Sequence, residues 1–209
     1  MPMEVIYRDK DIVVAIKSAG VLSTDEPGGM PELLRQALGT ENVRSVHRLD
    51  RVVSGLMVYA LRAKAASELS RQIREGAFQK EYVAVVCGEL TGEGTLRHFL
   101  LRNKEERKTY AVPEGTPFAR EAVLRYRVLA VQEGRTLVRI RLETGRTHQI
   151  RAQFAALGCP LLGDRKYGGE DAPNVALHSC FLGFRQPYSG ETLEFEGLPV
   201  GEPWDLFTV

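Results

Sequence analysis

Short β-branched and apolar runs joined by tight turns recur along this chain, and they restrict its fold more than any other feature. Val5 to Tyr7 and Ile12 to Lys17 read as strands separated by the Asp9-Lys10-Asp11 turn. Leu56 to Ala60, Lys80 to Cys87, Ala122 to Val131 and Thr136 to Leu142 follow in the same style. Gln132-Glu133-Gly134-Arg135 makes the last two an antiparallel hairpin. Tyr188-Ser189-Gly190-Glu191 turns a further hairpin between Leu182 to Gln186 and Thr192 to Phe195. Helical patterns are fewer. One runs from Pro31 to just before Gly39. A second covers Lys64 to Glu75, with Ala65, Leu69 and Ile73 on one face and Gly76 beyond its end. A third spans Thr147 to Leu157, stopped by Gly158 and Pro160. Strands outnumber helices and short turns join them. The expected class is α+β, with a mainly antiparallel sheet.

The 209 residues form a chain long enough for one substantial domain, and no repeat or linker divides it, so a single domain over 1–209 is expected. No apolar run reaches the ~20 residues that span a bilayer, and the first residues do not read as a signal peptide. The expectation is a cytoplasmic protein with no membrane partner. Cys87, Cys159 and Cys180 are an odd set without Cys-x-x-Cys spacing, which points to neither a disulfide framework nor a zinc site. The net charge of +1 does not mark a nucleic-acid binder. Its distribution says more. Arg44, Arg48 and Arg51 group together, as do Arg97, Arg102, Lys104, Arg107 and Lys108, and then Arg135, Arg139, Arg141, Arg146 and Arg151. Taken singly, each group reads as solvated surface charge.

Three segments carry candidate chemistry. In Val46-His47-Arg48-Leu49-Asp50-Arg51-Val52-Val53-Ser54-Gly55 a carboxylate lies between two arginines just before an apolar strand. Charge beside a buried strand is costly unless paired, so a structural ion pair is the plain alternative. In Thr144-Gly145-Arg146-Thr147-His148-Gln149-Ile150-Arg151 a glycine turn leads into a helix start rich in cationic and amide side chains. That pattern suits phosphate or carboxylate recognition. His148 and Arg151, three apart, share a face of that expected helix. His148 alone reads more readily as a hydrogen-bonding structural residue than as a catalyst. Gly163-Asp164-Arg165-Lys166-Tyr167-Gly168-Gly169 reads as a polar loop near the same helix end. In the third segment, Gln79 to Gly88, Tyr82 leads a strand. Its ring either faces a cleft or fills the core.

These segments in this order resemble the RluA-type family of RNA pseudouridine synthases, over Val5 to Phe195. His47-Arg48-Leu49-Asp50 with Ser54-Gly55 carries the likeness. Lys80-Glu81-Tyr82, Gly145 to Arg151, and Gly163-Asp164 with Tyr167-Gly168-Gly169 join it. The resemblance implies a single catalytic domain, built on a long, mainly antiparallel mixed β-sheet flanked by helices with a central cleft, that detaches uracil from its ribose, rotates it and rejoins it through carbon. It implies no metal and no organic cofactor. Asp50 matches the catalytic aspartate, Tyr82 the tyrosine that stacks on the target base, and Arg151 the arginine that pairs with the aspartate. Arg48 matches the arginine that helps displace the flipped nucleotide. His47, Arg146, His148 and Gln149 complete the expected substrate-binding set. The expected partner is a stem-loop of ribosomal or transfer RNA, bound by a monomer without an N-terminal S4-type domain. Departures are Val53 in place of threonine, Gln153 in place of histidine, and Lys17-Ser18-Ala19-Gly20 without the family's proline. Two alternatives remain open: a non-catalytic RNA-binding protein on the same fold, and a glycoside hydrolase using Asp50 with Asp164. The second lacks aromatic platforms, its single tryptophan being Trp204.

Overall fold

The computed structural model describes residues 2–207; residues 1, 208 and 209 of the expected domain lie outside it. In chain order the elements are β1 (Met3–Arg8), β2 (Ile12–Lys17), α1 (Met30–Leu38), β3 (Arg44–Ser45), β4 (Ser54–Ala60), α2 (Ala63–Arg74) and β5 (Gln79–Cys87). There follow β6 (Glu93–Asn103), β7 (Lys108–Val112), β8 (Arg120–Gln132), β9 (Arg135–Leu142), α3 (Gln149–Ala156), β10 (Leu177–Arg185) and β11 (Thr192–Glu196). The class is α+β, as the turn-linked strand pattern implies. Among the named strand pairs, only β4 with β10 is parallel.

Contacts among the described residues gather into two compact units, 2–80 with 178–199, and 81–177 with 200–207. In the first, the strand order is β1-β2-β4-β10, with β11 on β10 and β3 on β4. Ile12, Val14, Leu56 and Val58 alternate inward from β2 and β4. They meet Ala65 and Leu69 of α2 and the ring pair Phe78–Phe184, stacked at 5.2 Å. The period-two and period-3.6 patterns thus meet on one apolar layer. α1 ends at Gly39, whose φ of 63° and N–H to the Arg35 carbonyl close the last turn.

The second unit has the order β5-β9-β8-β6-β7, all antiparallel. α3 packs against β6 and β7. Buried Gln153 ties this helix to the sheet through Nε2, which donates to the Leu96 carbonyl at 3.0 Å and the Ala122 carbonyl at 3.1 Å. The residue that departs from the family pattern here is therefore a helix–sheet strut. Sequence patterning missed β6 and β7. Their Arg97, Arg102 and Lys108 read as a charge cluster, yet they lie on strands whose burial is broken rather than cleanly alternating.

Candidate active site

Asp50 is half-buried in the loop between β3 and β4, and that loop is clamped through its backbone. The Val53 N–H donates to the Asp50 carbonyl at 3.0 Å, closing a tight turn without any hydroxyl at position 53. Ser23 grips the preceding residue from both sides. Its hydroxyl donates to the Leu49 carbonyl at 2.8 Å and accepts the Leu49 N–H at 3.2 Å. Gly20 and Arg51 are cross-linked. The Gly20 N–H meets the Arg51 carbonyl at 2.7 Å, and Arg51 Nε donates to the Gly20 carbonyl at 2.8 Å.

The strongest clamp was not visible as such in the sequence. Lys17, the last residue of β2, is fully buried. Its Nζ donates to the carbonyls of Ser18 at 3.0 Å, Val21 at 2.8 Å and Arg51 at 3.3 Å. Three N–H donors on three carbonyls satisfy an ammonium that would otherwise be very costly to bury. Burial pushes its pKa down to about 8, and the nearby negative charge of Asp50 partly opposes that shift. A lone lysine closing the otherwise apolar run Ile-Val-Val-Ala-Ile-Lys was the available signal.

β4 leaves the loop through Ser54 and Gly55. Gly55 lies opposite Ser179 in the parallel β4–β10 pair, with φ of 118°. A Cβ there would fall 2.4 Å from the Ser179 backbone, so only glycine fits. Ser54 Oγ is 2.8 Å from His178 Nδ1, and His178 Nε2 is 3.1 Å from the Gly197 carbonyl. The carbonyl requires the proton on Nε2, so Nδ1 accepts from the serine hydroxyl. Burial lowers the His178 pKa to about 4 despite that carbonyl.

His47, expected to bind substrate, also ties its loop to β4. Its Nε2 accepts the Val58 N–H at 3.1 Å, and its ring lies 5.6 Å from that of Phe78. Burial, and secondarily the charge of Lys80, push its pKa down to about 3, so the ring stays neutral. Arg48 is exposed and has no hydrogen bond or ion pair among the described residues.

In the second unit, Tyr82 is 5 % exposed on β5, opposite Ile140 of β9. Arg151, on α3, is also buried. Within this unit its carboxylate partner is Asp164, met by Nε at 2.6 Å and Nη2 at 2.8 Å. The guanidinium also lies over the Tyr167 ring, 5.0 Å from its centroid. A guanidinium has five N–H donors, and this fork uses two. The segment expected to be a plain polar loop therefore holds a buried ion-pair partner. Gly163 permits its path: φ is 78°, and a Cβ would lie 2.0 Å from the Asn174 carbonyl oxygen. With Asp164 committed to Arg151, the hydrolase alternative loses its second carboxylic acid.

The third expected helix starts later than its pattern suggested. α3 begins at Gln149, and His148 stands before it in the left-handed region with φ of 54°. Arg146 and His148 therefore belong to the turn, not to a first helical turn. Gln149 explains the delay. Its Oε1 accepts from the Thr144 hydroxyl at 2.8 Å and the Arg146 N–H at 2.9 Å, while Nε2 donates to the Val123 carbonyl at 3.1 Å. Gln149 is 3 % exposed, and these bonds fasten the turn. His148 Nδ1 accepts from the Tyr167 hydroxyl at 2.9 Å, and that hydroxyl accepts the Thr109 N–H at 2.9 Å. Arg146 is exposed, with Nε donating to the Glu121 carbonyl at 2.9 Å.

A family model described as RNA pseudouridylate synthase matches residues 11–156, from β2 to the end of α3. The chain belongs to that family. A ribosomal large subunit pseudouridine synthase D from Vibrio cholerae is 34 % identical over 93 % of this chain and 67 % of its own length. An uncharacterised RNA pseudouridine synthase from Bacillus subtilis is 35 % identical over 94 % of this chain and 69 % of its own. Among solved structures, human RNA pseudouridylate synthase domain containing 1 superposes with a TM-score of 0.81 at 27 % identity, covering 94 % of this chain and 83 % of that one. The chain thus spans about two thirds of the length of the curated relatives it matches. RNA pseudouridylation is its activity class. Among the described residues, no helix is long and apolar enough to cross a membrane.

Proposed function

We propose that this protein isomerises a specific uridine in the large-subunit ribosomal RNA, with Asp50 as the catalytic carboxylate. The observation that carries the reading is the clamp on the Asp50 loop. Lys17, Ser23 and Gly20 fix the backbone at residues 49 and 51, so the Cα from which the carboxylate springs is held in place by the framework. Catalytic groups need such fixed placement, because small misplacements cost rate steeply. The relatives' printed names favour ribosomal RNA over transfer RNA as the substrate.

A base stacked in an RNA helix is unreachable, so the target nucleotide is flipped out before reaction. Arg48, exposed beside Asp50 in sequence, takes the vacated space and contacts phosphate. Tyr82 supplies the aromatic face for the extruded uracil. Arg151, held rigid by Asp164, supplies the fixed positive charge assigned to the aspartate. Asp50 acts at the sugar, where the transition state gains positive character. The N1–C1′ bond breaks, the uracil turns, and a C5–C1′ bond forms. The proton leaving C5 is balanced by one gained at N1, so no oxidant, metal or organic cofactor enters. The protein acts as a monomer. His47 and Gln149 serve as supports, and Arg146 remains a phosphate contact.

The test is to incubate the protein with in vitro transcribed large-subunit ribosomal RNA and map pseudouridine. The expected result is a new pseudouridine in RNA of unchanged length with no free uracil. Binding without any pseudouridine would favour the non-catalytic alternative. Free uracil with an abasic product would make the protein a glycosidase.

A further inference from the structure

Phe118 is 93 % exposed, the most exposed of the large hydrophobic side chains among the described residues, and it lies in the connection between β7 and β8, two residues before β8 begins. Its backbone is unusual as well. The Ala119 N–H donates to the Thr116 carbonyl at 3.1 Å, closing a turn with Pro117 second and Phe118 third. Phe118 has φ of 66°. A proline-led turn with positive φ at its third residue ordinarily places glycine or asparagine there. A bulky aromatic residue in that conformation is a true outlier. Phe118 thus bears strain and exposes a hydrophobic ring, with almost no burial to offset either. The turn is not loosely built: Thr116 donates to the Pro113 carbonyl through both its N–H, at 3.2 Å, and its hydroxyl, at 2.7 Å. Strain that packing does not repay points to function.

The surroundings indicate the ligand. Arg120 follows two residues later and is exposed. Arg146, also exposed, reaches the next residue by donating to the Glu121 carbonyl at 2.9 Å. Neither arginine has an acidic partner among the described residues, whereas neighbouring Arg97 is paired with Glu121. An aromatic ring held out on a fixed turn beside two uncompensated guanidinium groups suits a nucleic acid: a base for the ring and phosphates for the cations. A protein partner would call for a wider apolar patch than one ring.

We infer that Phe118 stacks on an unpaired nucleobase of the RNA substrate, while Arg120 and Arg146 engage the adjoining phosphates. This rests on the proposed action on RNA and adds a contact that selects substrates with a looped-out base.

Phe118→Gly, Phe118→Leu and Phe118→Trp are compared with the wild type. The probes are an in vitro transcribed stem-loop with unpaired uridines and a fully paired RNA duplex of equal length, both at fixed salt. Glycine and leucine should each weaken stem-loop binding about 10-fold and duplex binding less than about 2-fold. Glycine should leave the thermal midpoint unchanged or higher, because it removes the strain. Tryptophan should keep affinity, and its fluorescence should be quenched by the stem-loop beyond any change from Trp204 in the wild type. The salt slope should stay as in the wild type for Phe118→Gly and fall for Arg120→Ala. A glycine variant that binds the stem-loop as the wild type does would overturn the inference. So would a lowered midpoint without loss of affinity, or a changed oligomeric mass. A wild type that neither binds nor modifies RNA would instead defeat the proposed function, before any variant is compared.

Discussion

The Asp50 loop and the Arg151 helix both carry charged groups at partly or fully buried positions, and the clamps on the loop differ in kind from those on the helix. Around Asp50 the fastening falls on the backbone: Lys17 on three carbonyls, Ser23 on both faces of Leu49, and Gly20 on Arg51. Around Arg151 it falls on side chains, in the two-pronged pair with Asp164 and the stack on Tyr167. The first scheme fixes the point from which a side chain starts. The second immobilises the side chain itself and turns it into a fixed charge. Substitutions in the first region should therefore tell mainly on rate, and those in the second mainly on stability.

Arg151→Met gives the largest expected effect. Removing one member of a buried pair strands Asp164 and should destabilise the protein by about 3–5 kcal/mol in chemical denaturation. Replacing both partners, Arg151→Met with Asp164→Leu, should recover most of that loss, since apolar groups tolerate the site. Activity should not return with it, because the fixed charge is gone. Recovery of both would make the pair a purely structural feature.

Lys17→Met comes next. It releases the Arg51 carbonyl and lets the loop drift, so kcat should fall about 100-fold while RNA affinity stays within about 2-fold. A pH measurement separates this from simple unfolding. The folded-state pKa of Lys17 is about 8 against an ordinary 10.5. Between those values the unfolded chain binds the extra proton, so Lys17 contributes stability that rises with pH. Wild type should therefore gain stability over Lys17→Met from about pH 8 towards 10.5. A flat difference would mean that the lysine is not buried as described.

Ser54→Ala is the mildest case. It removes one neutral hydrogen bond to His178 and should cost about 1 kcal/mol. Acid provides the finer reading. With the folded pKa of His178 near 4 and an ordinary value of 6.5, the unfolded chain takes the proton first as pH falls between them. Stability is lost in that window. His178→Gln should blunt this loss in acid-unfolding curves, and an unchanged acid limb would show that His178 is solvated.

What could be read from the sequence follows from how locally each feature is encoded. The β8–β9 hairpin, the run Ile12–Lys17 and the helix ending at Gly39 each carry their signal within a few residues. β6 and β7 did not announce themselves, because arginines and half-buried positions break their alternation. The start of α3 was misplaced because Gln149 spends its side chain on Thr144 and Arg146, a choice that helix periodicity does not register. The site shows the same division. His47 to Asp50 stands out as a motif, but Lys17 and Ser23, which hold it, lie far upstream and act through carbonyls that any residue possesses. Asp164 was visible as part of a motif, though its burial against Arg151 was not.

The most direct measurement of the central claim uses Asp50→Asn, which keeps the shape of the side chain and removes its charge. Pseudouridine formation under single-turnover conditions and RNA affinity are measured together at one salt concentration, with the fold checked by thermal midpoint. Because phosphate contacts supply most of the affinity, the variant should bind RNA within about 2-fold of wild type and form no detectable pseudouridine. A folded Asp50→Asn protein that still turns uridine into pseudouridine at a substantial rate would contradict the account.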